Sequence, residues 1–283
     1  MKILAGRNAF VTGAANGIGF GICRALARAG VNIGMADVEA ATLDGAVEAI
    51  RAFGVRAEPF VVDVSDLAAM KDAAARHAAL FGDNHILINN AGVTVGGRPM
   101  WEIPDEEWQW IVAVNSFGPL NGVRAFLPGM LAHGEEGHVV STASIGGLQV
   151  HRDIAYNGPY AMTKFSVVAF SEALERDLVH TPIGVSVFCP ALVLTTLGHS
   201  AERRPARFGG PFERAGTNLG GVSILPPIPA DEAGERVVFA IRHGEMYILT
   251  HFEVEEWLKR RHGRIEAAID GLARFKAAER TRE

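Results

Sequence analysis

The chain has 283 residues, 48% of them hydrophobic and 21% charged, which is enough apolar material for a full core and too much for a disordered chain. A formal net charge of −5, with no basic run, excludes nucleic acid and an anionic membrane surface as main partners. Two cysteines, Cys23 and Cys189, rule out a disulfide scaffold and fit a reducing cytosol.

The longest uncharged run, 178–201, contains Pro182, Gly184, Pro190 and Gly198 and cannot be one spanning helix. Arg7 and Asn8 interrupt the N-terminal apolar residues before an export signal can form, so a cytoplasmic protein is expected. Apolar runs at 8–12, 32–36, 57–62, 85–89, 138–144, 184–189 and 246–250 predict strands. Helical patterns at 17–29, 39–53, 67–81, 105–132, 158–180 and 231–242 separate them, and a last one, 254–278, closes the chain. This alternation predicts the α/β class: a Rossmann-type, doubly wound parallel sheet of about seven strands. No linker is visible, so 1–283 is expected to be one dinucleotide-binding catalytic domain. The stretch 196–229, with Gly209-Gly210-Pro211 and Pro226-Pro227-Ile228-Pro229, shows neither period and reads as a substrate loop or lid. Residues 253–283 read as a C-terminal helical extension.

Between the first strand and the first helix stand Gly13, Asn16, Gly17, Ile18 and Gly19. Glycines here let backbone N–H groups approach a pyrophosphate at a helix N-terminus; the simpler alternative is a tight turn. Asp37 ends the second strand, where a carboxylate accepts hydrogen bonds from ribose hydroxyls. A 2′-phosphate would meet that carboxylate, and neither Asn16 nor Val38 offers a compensating cation, so NAD is expected over NADP.

Tyr160 and Lys164 are four residues apart in a helical pattern and share a face. An ammonium about 4 Å away is worth about 4 kcal/mol at an effective dielectric of 20, or about 3 pKa units. That would bring the phenol near 7, and with the help of an oxidised nicotinamide it could make Tyr160 a usable general acid/base. Ser144, at the carboxyl end of the fifth strand, could hold a carbonyl or alcohol oxygen beside it, with Ser141 as the alternative. Pro119 has no N–H, so the carbonyl of Asn115 loses its helical partner and could hold a water; otherwise the proline only kinks the helix. The ten histidines form no His-Glu-x-x-His or Cys/His cluster, and no metal is expected. Trp101, Trp108 and Trp110 read as packing residues.

With these motifs in order, the sequence resembles the short-chain dehydrogenase/reductase family over roughly residues 5–250. The resemblance implies that Asp63 and Val64 lie beside adenine and that Asn89, Ala91 and Gly92 line the cofactor. It implies a catalytic tetrad of Asn115, Ser144, Tyr160 and Lys164, with Lys164 also binding ribose. Pro190, Val193 and Thr195 resemble the segment beside nicotinamide, with Ala191 where the family has Gly. The helices 105–132 and 158–180 resemble those that pair in family dimers, so a homodimer or homotetramer is expected. The substrate implied is a secondary alcohol or ketone.

Residues 203–209 and 252–258 are loosely similar to the lignin aryl-ether Cα-dehydrogenase branch, which oxidises bulky benzylic alcohols. Phe208, Phe212, Leu219, Ile224 and Leu225 suit such an apolar or aromatic substrate. A 3-oxoacyl thioester reductase is the alternative, with Arg203, Arg204 and Arg207 available to a carrier protein. A non-catalytic dinucleotide-binding regulator is the alternative of another class. His151, Arg152 and Asp153, in the insertion before Tyr160, either rim the pocket or form a solvated loop.

Overall fold

The computed structural model describes residues 1–150, 156–213 and 225–281. The strands are β1 (Asn8–Thr12), β2 (Asn32–Asp37), β3 (Ala57–Val61), β4 (Ile86–Asn89), β5 (Gly137–Thr142), β6 (Ile183–Cys189) and β7 (Tyr247–Leu249). They form one sheet in the order β3-β2-β1-β4-β5-β6-β7, every pair parallel. The fold is therefore the expected doubly wound Rossmann-like sheet. Strand order reverses between β1 and β4, and in such sheets ligands bind at the carboxyl ends beside that switch.

Every residue of β1, β4 and β5 is buried, because helices cover both faces. One face carries α1 (Gly17–Arg28), α2 (Ala40–Arg51) and α7 (Ala230–His243), packing Ile22, Leu26, Val47, Val237 and Ile241 on the sheet. On the other lie α3 (Leu67–Phe81), α4 (Asp105–Val112), α5 (Gly118–His133) and α6 (Gly158–Asp177). There Phe10 meets Phe126 at 4.3 Å and Phe60 at 5.2 Å between ring centroids. Burying such a ring stabilises the fold by about 1.5–3 kcal/mol.

Two local devices fix the helices that flank the cleft. Asp66 caps α3, its carboxylate accepting from the backbone of Ala68 at 2.8 Å and Ala69 at 3.1 Å, a contribution of about 1 kcal/mol. Gly21 and Gly234 let α1 and α7 touch backbone to backbone; a Cβ on either would overlap the other helix's main chain.

The expected helix 105–132 is not one regular helix. α4 passes into α5 through a π-helical turn, Ala113–Phe117, which contains Asn115. Pro119 follows this turn, and because the chain is already helical before it, its missing N–H withholds a donor from a carbonyl of the π turn. β5 ends at Thr142, two residues before Ser144, which adopts extended backbone ahead of the turn Ile145–Gly147. The loop after β6 contains short 3-10 turns at Leu197–Arg203 and Ala206–Phe208 and a bridge between Val193 and Ile228. Leu219 and Ile224 in that loop, and His151, Arg152 and Asp153 before Tyr160, lie outside the described residues. The last helix, α8 (Val254–Arg280), buries only Val254 among its residues. No helix among the described residues is long and apolar enough to cross a membrane.

Candidate active site

A cleft opens over the carboxyl ends of β1, β2, β4 and β5. Its floor is the turn from β1 into α1. A Cβ on Gly13 would stand 2.9 Å from the Ala91 Cα, and one on Gly19 would overlap the Gly13 carbonyl oxygen. Gly17 holds φ +52 and faces Thr195. Only glycine fits this turn, and the backbone it exposes is the surface a pyrophosphate approaches. Asn16 does not cap α1; its side-chain oxygen accepts from Thr196 Oγ1 at 2.8 Å, so no side chain competes for the first N–H groups of the helix. The donor set thus fits a dinucleotide.

Asp37 is held at the edge of this cleft by N–H groups of Ala15, at 3.1 Å, and Glu39, at 3.3 Å. Asp63 accepts from Ser65 N–H at 2.9 Å and Ser65 Oγ at 2.6 Å. Ile18, Val64, Ala91, Gly92, Pro190 and Thr195 line the cleft with them. Three expected contacts differ. Gly19 lies beneath the turn rather than on its surface. Asn89 is on β4 and points away: it is buried, donates to Ser141 Oγ at 3.4 Å and packs on Gly122 of α5. The residue that lines the cleft is Asn90, which also braces the glycine turn by donating to the Thr12 and Gly13 carbonyls at 3.1 and 3.2 Å. Val193 is likewise buried, drawn off the cleft by its bridge to Ile228. Ala191 has no positive φ, so alanine fits there, and its N–H donates to Thr250 Oγ1 at 3.1 Å.

The helix α6 brings Tyr160 and Lys164 to the inner end of the cleft. Tyr160 and Ser144 both lie against Gly146, whose N–H donates to Ser144 Oγ at 3.1 Å. Ser141 is buried in the sheet with Asn89, which leaves Ser144 as the serine beside the phenol. Lys164 Nζ donates to the Thr142 carbonyl at 2.9 Å and stands 5.6 Å from the Tyr160 ring centroid. Asn115 is buried behind them. Its Oδ1 accepts from Val93 N–H at 2.8 Å, and its Nδ2 donates to Val93 O at 2.9 Å and Thr163 Oγ1 at 3.1 Å. The side chain thus ties the loop after β4 to α6.

Electrostatics in this group run against the simple pairing argument. Burial pushes Tyr160 up to about 12, partly offset by the Ser144 hydroxyl. Burial also brings Lys164 down to about 8. A lysine that is itself desolvated, with its charge committed to a carbonyl, does not by itself bring the phenol near 7. At pH 7 Tyr160 holds its proton.

The remaining wall is apolar. Val93, Trp110, Val114 and Leu197 line the cavity on the Tyr160 side. Trp110 packs edge-on against Phe212 at 6.3 Å, and Arg204 covers Phe212 at 4.3 Å. Ser200 closes this side by accepting from Thr94 N–H at 3.0 Å. Trp110 is therefore both the packing residue expected and part of the cavity wall. The loop arginines have partners: Arg203 pairs with Glu39 at 3.4 Å, Arg204 donates to Gly210 O at 2.6 Å, and Arg207 pairs with Asp63 at 2.6 Å.

Residues 7–206 match the family model described as short chain dehydrogenase. The chain is 32% identical over 277 residues to the C alpha-dehydrogenase of Sphingobium sp. (strain NBRC 103272 / SYK-6), covering 96% of this chain and 88% of that relative. It is 35% identical over 249 residues to the 1-deoxy-11-beta-hydroxypentalenate dehydrogenase of Streptomyces avermitilis, covering 87% and 85% of the two. The crystal structure of a short chain dehydrogenase/reductase from Burkholderia phymatum in complex with NAD superposes with a TM-score of 0.87 at 32% identity, covering 95% of this chain and 97% of that one. With its glycine cradle, switch-point cleft and this breadth of similarity, the chain belongs to the short-chain dehydrogenase family, oxidoreductases that act on alcohols with a nicotinamide dinucleotide.

Proposed function

We propose that this enzyme interconverts a secondary alcohol and a ketone, with NAD as the preferred cofactor and a bulky apolar or aromatic substrate. The observation that carries the reading is the placing of Tyr160 and Lys164, with Ser144 next to them, at the inner end of a cleft that presents Asp37 at its edge. The nicotinamide ring, when bound, supplies the site that accepts or returns the hydride. Ser144 holds the substrate oxygen, and Tyr160 exchanges a proton with that oxygen at its Oη. Its protonated state at pH 7 suits donation to a developing alkoxide. Lys164, with its pKa near 8, keeps most of its charge at pH 7 and stabilises a phenolate. Asn115 positions α6 against the loop after β4. Asp37 takes ribose hydroxyls and disfavours a 2′-phosphate.

Trp110 in the cavity wall supports an aromatic substrate, as does the likeness to a Cα-dehydrogenase. The thioester-reductase alternative loses part of its support, because Arg204 and Arg207 are engaged within the loop and cleft. Ser144, Tyr160 and Lys164 gathered at one end of the cleft argue against a regulator without chemistry. Phe117 and Met162 are exposed on neighbouring elements, joined by the Ser116–Ser166 bond at 2.8 Å, which supports a homodimer or homotetramer. We place the enzyme in the cytoplasm.

The test follows NADH absorbance with aryl secondary alcohols and, in reverse, 3-oxoacyl thioesters, using NAD and NADP in parallel. Turnover of the aryl alcohols with a higher kcat/KM for NAD is expected. Tyr160→Phe should abolish turnover while NADH still binds. A preference for NADP, or substantial activity in Tyr160→Phe, would refute the corresponding part of the reading.

A further inference from the structure

The cleft has a charge imbalance. Its lining includes the carboxylates of Asp37 and Asp63 and, among the described residues, two cations, Lys164 and Arg203. Lys164 is at the inner end with its ammonium on the Thr142 carbonyl. A dinucleotide brings further negative charge, and the N-terminus of α1 offers only partial positive charge to meet it. Arg203 is the cation left on the outer side.

Its surroundings are unusual. The guanidinium reaches Glu39 through Nε at 3.4 Å and Nη1 at 3.5 Å, and Thr196 through Nη2, at 3.5 Å to the carbonyl and 3.4 Å to Oγ1. All four contacts are at the long end of hydrogen bonding, whereas charge-assisted bonds settle near 2.7–2.9 Å. The backbone that carries Arg203 is held more firmly. Ser200 is bonded to Thr94, Thr196 to Asn16 at the start of α1, and Arg207 to Asp63 at 2.6 Å. The loop is thus fastened on both sides of a guanidinium that is itself loosely held. A side-chain rotation is enough to move it.

We propose that Arg203 grips a phosphate of the bound dinucleotide, giving up Glu39 to do so. This rests on the reading of the cleft as a dinucleotide site. Glu39 is the resting partner and competes with the ligand. The ligand chemistry is a phosphate beside the glycine turn, either the pyrophosphate common to both cofactors or the 2′-phosphate of NADP.

Calorimetric titration of the full-length protein with adenosine, ADP-ribose, NADH and NADPH separates the cases. Arg203→Gln should weaken ADP-ribose and NADH by roughly 10- to 100-fold, the worth of a hydrogen bond to a charged group, and leave adenosine unchanged. Glu39→Gln should act in the opposite direction and tighten both, an outcome that a damaged fold would not produce. A loss confined to NADPH would assign the grip to the 2′-phosphate and still support it. Unchanged affinity of Arg203→Gln for all three phosphorylated ligands would overturn the grip alone, as would an equal loss for adenosine. Failure of the unmodified protein to bind any dinucleotide would overturn the dinucleotide reading with it.

Discussion

Two histidines far from the cleft make the fold sensitive to mild acid. His77 on α3 lies among Phe10, Phe60, Phe81 and Phe126, with Nε2 3.3 Å from the Ala9 carbonyl. His138 on β5 is paired with Ser186 Oγ at 2.7 Å. Burial lowers His77 from 6.5 to about 4 and His138 to about 3. Unfolded, both take protons as the pH falls through about 6.5, while the folded imidazoles stay neutral. The unfolded chain then binds more protons, so stability is full above that pH and is lost below it, down to the folded values. Moving from pH 7 to pH 5 crosses about 1.5 units of this window, worth about 2 kcal/mol for each histidine and about 4 kcal/mol for the pair. That is a large part of the 5–15 kcal/mol typical of a folded domain. Urea denaturation at the two pH values measures it. In His138→Asn the difference between pH 7 and pH 5 should shrink by about 2 kcal/mol, whatever the variant costs overall. An unchanged difference in that variant would show that His138 does not carry the effect.

Two further outcomes follow from the cleft. Gly19→Ala puts a Cβ into the Gly13 carbonyl oxygen, so the turn must open, and NADH affinity measured by fluorescence titration should fall by about 100-fold or more. Trp110→Ala should raise KM for aryl alcohols, and the void left against Phe212 should cost about 3–5 kcal/mol in urea denaturation.

Much of this molecule is legible in its sequence because the signals are local. Buried parallel strands read as solid apolar runs, and β1 spans the predicted 8–12. The glycine turn, Asp37 and the Tyr160/Lys164 spacing are likewise short-range patterns, and all reach one cleft. What escaped was set by contacts between distant segments. Asn90 rather than Asn89 lines the cleft because the strand ends at Asn89 and the next residue turns back to Thr12 and Gly13. Arg203 meets Glu39 across 164 residues, and Arg207 meets Asp63 across 144, distances over which no periodicity speaks. The high proton affinity of Tyr160 is a consequence of burial, which spacing alone does not reveal. The π-helical turn was hidden behind Pro119, the more conspicuous residue nearby.

That turn has a consequence for how this part of the chain tolerates change. From Trp110 to Met130, buried residues recur at every fourth position: Trp110, Val114, Gly118, Gly122, Phe126 and Met130. A regular helix repeats every 3.6 residues, so a four-residue beat drifts by about 40° at each step. The wider turn at Ala113–Phe117 takes up part of the drift, so α4 can aim Trp110 at the cavity while α5 presses Gly122 on Asn89. It works as a phase adjuster between two helices with different obligations. Removing one residue there would restore a regular helix with its two halves nearly in phase, whereas removing one from α4 or α5 would rotate the halves by about 100° against each other. The π turn is therefore the place along this stretch where a change of length is best absorbed.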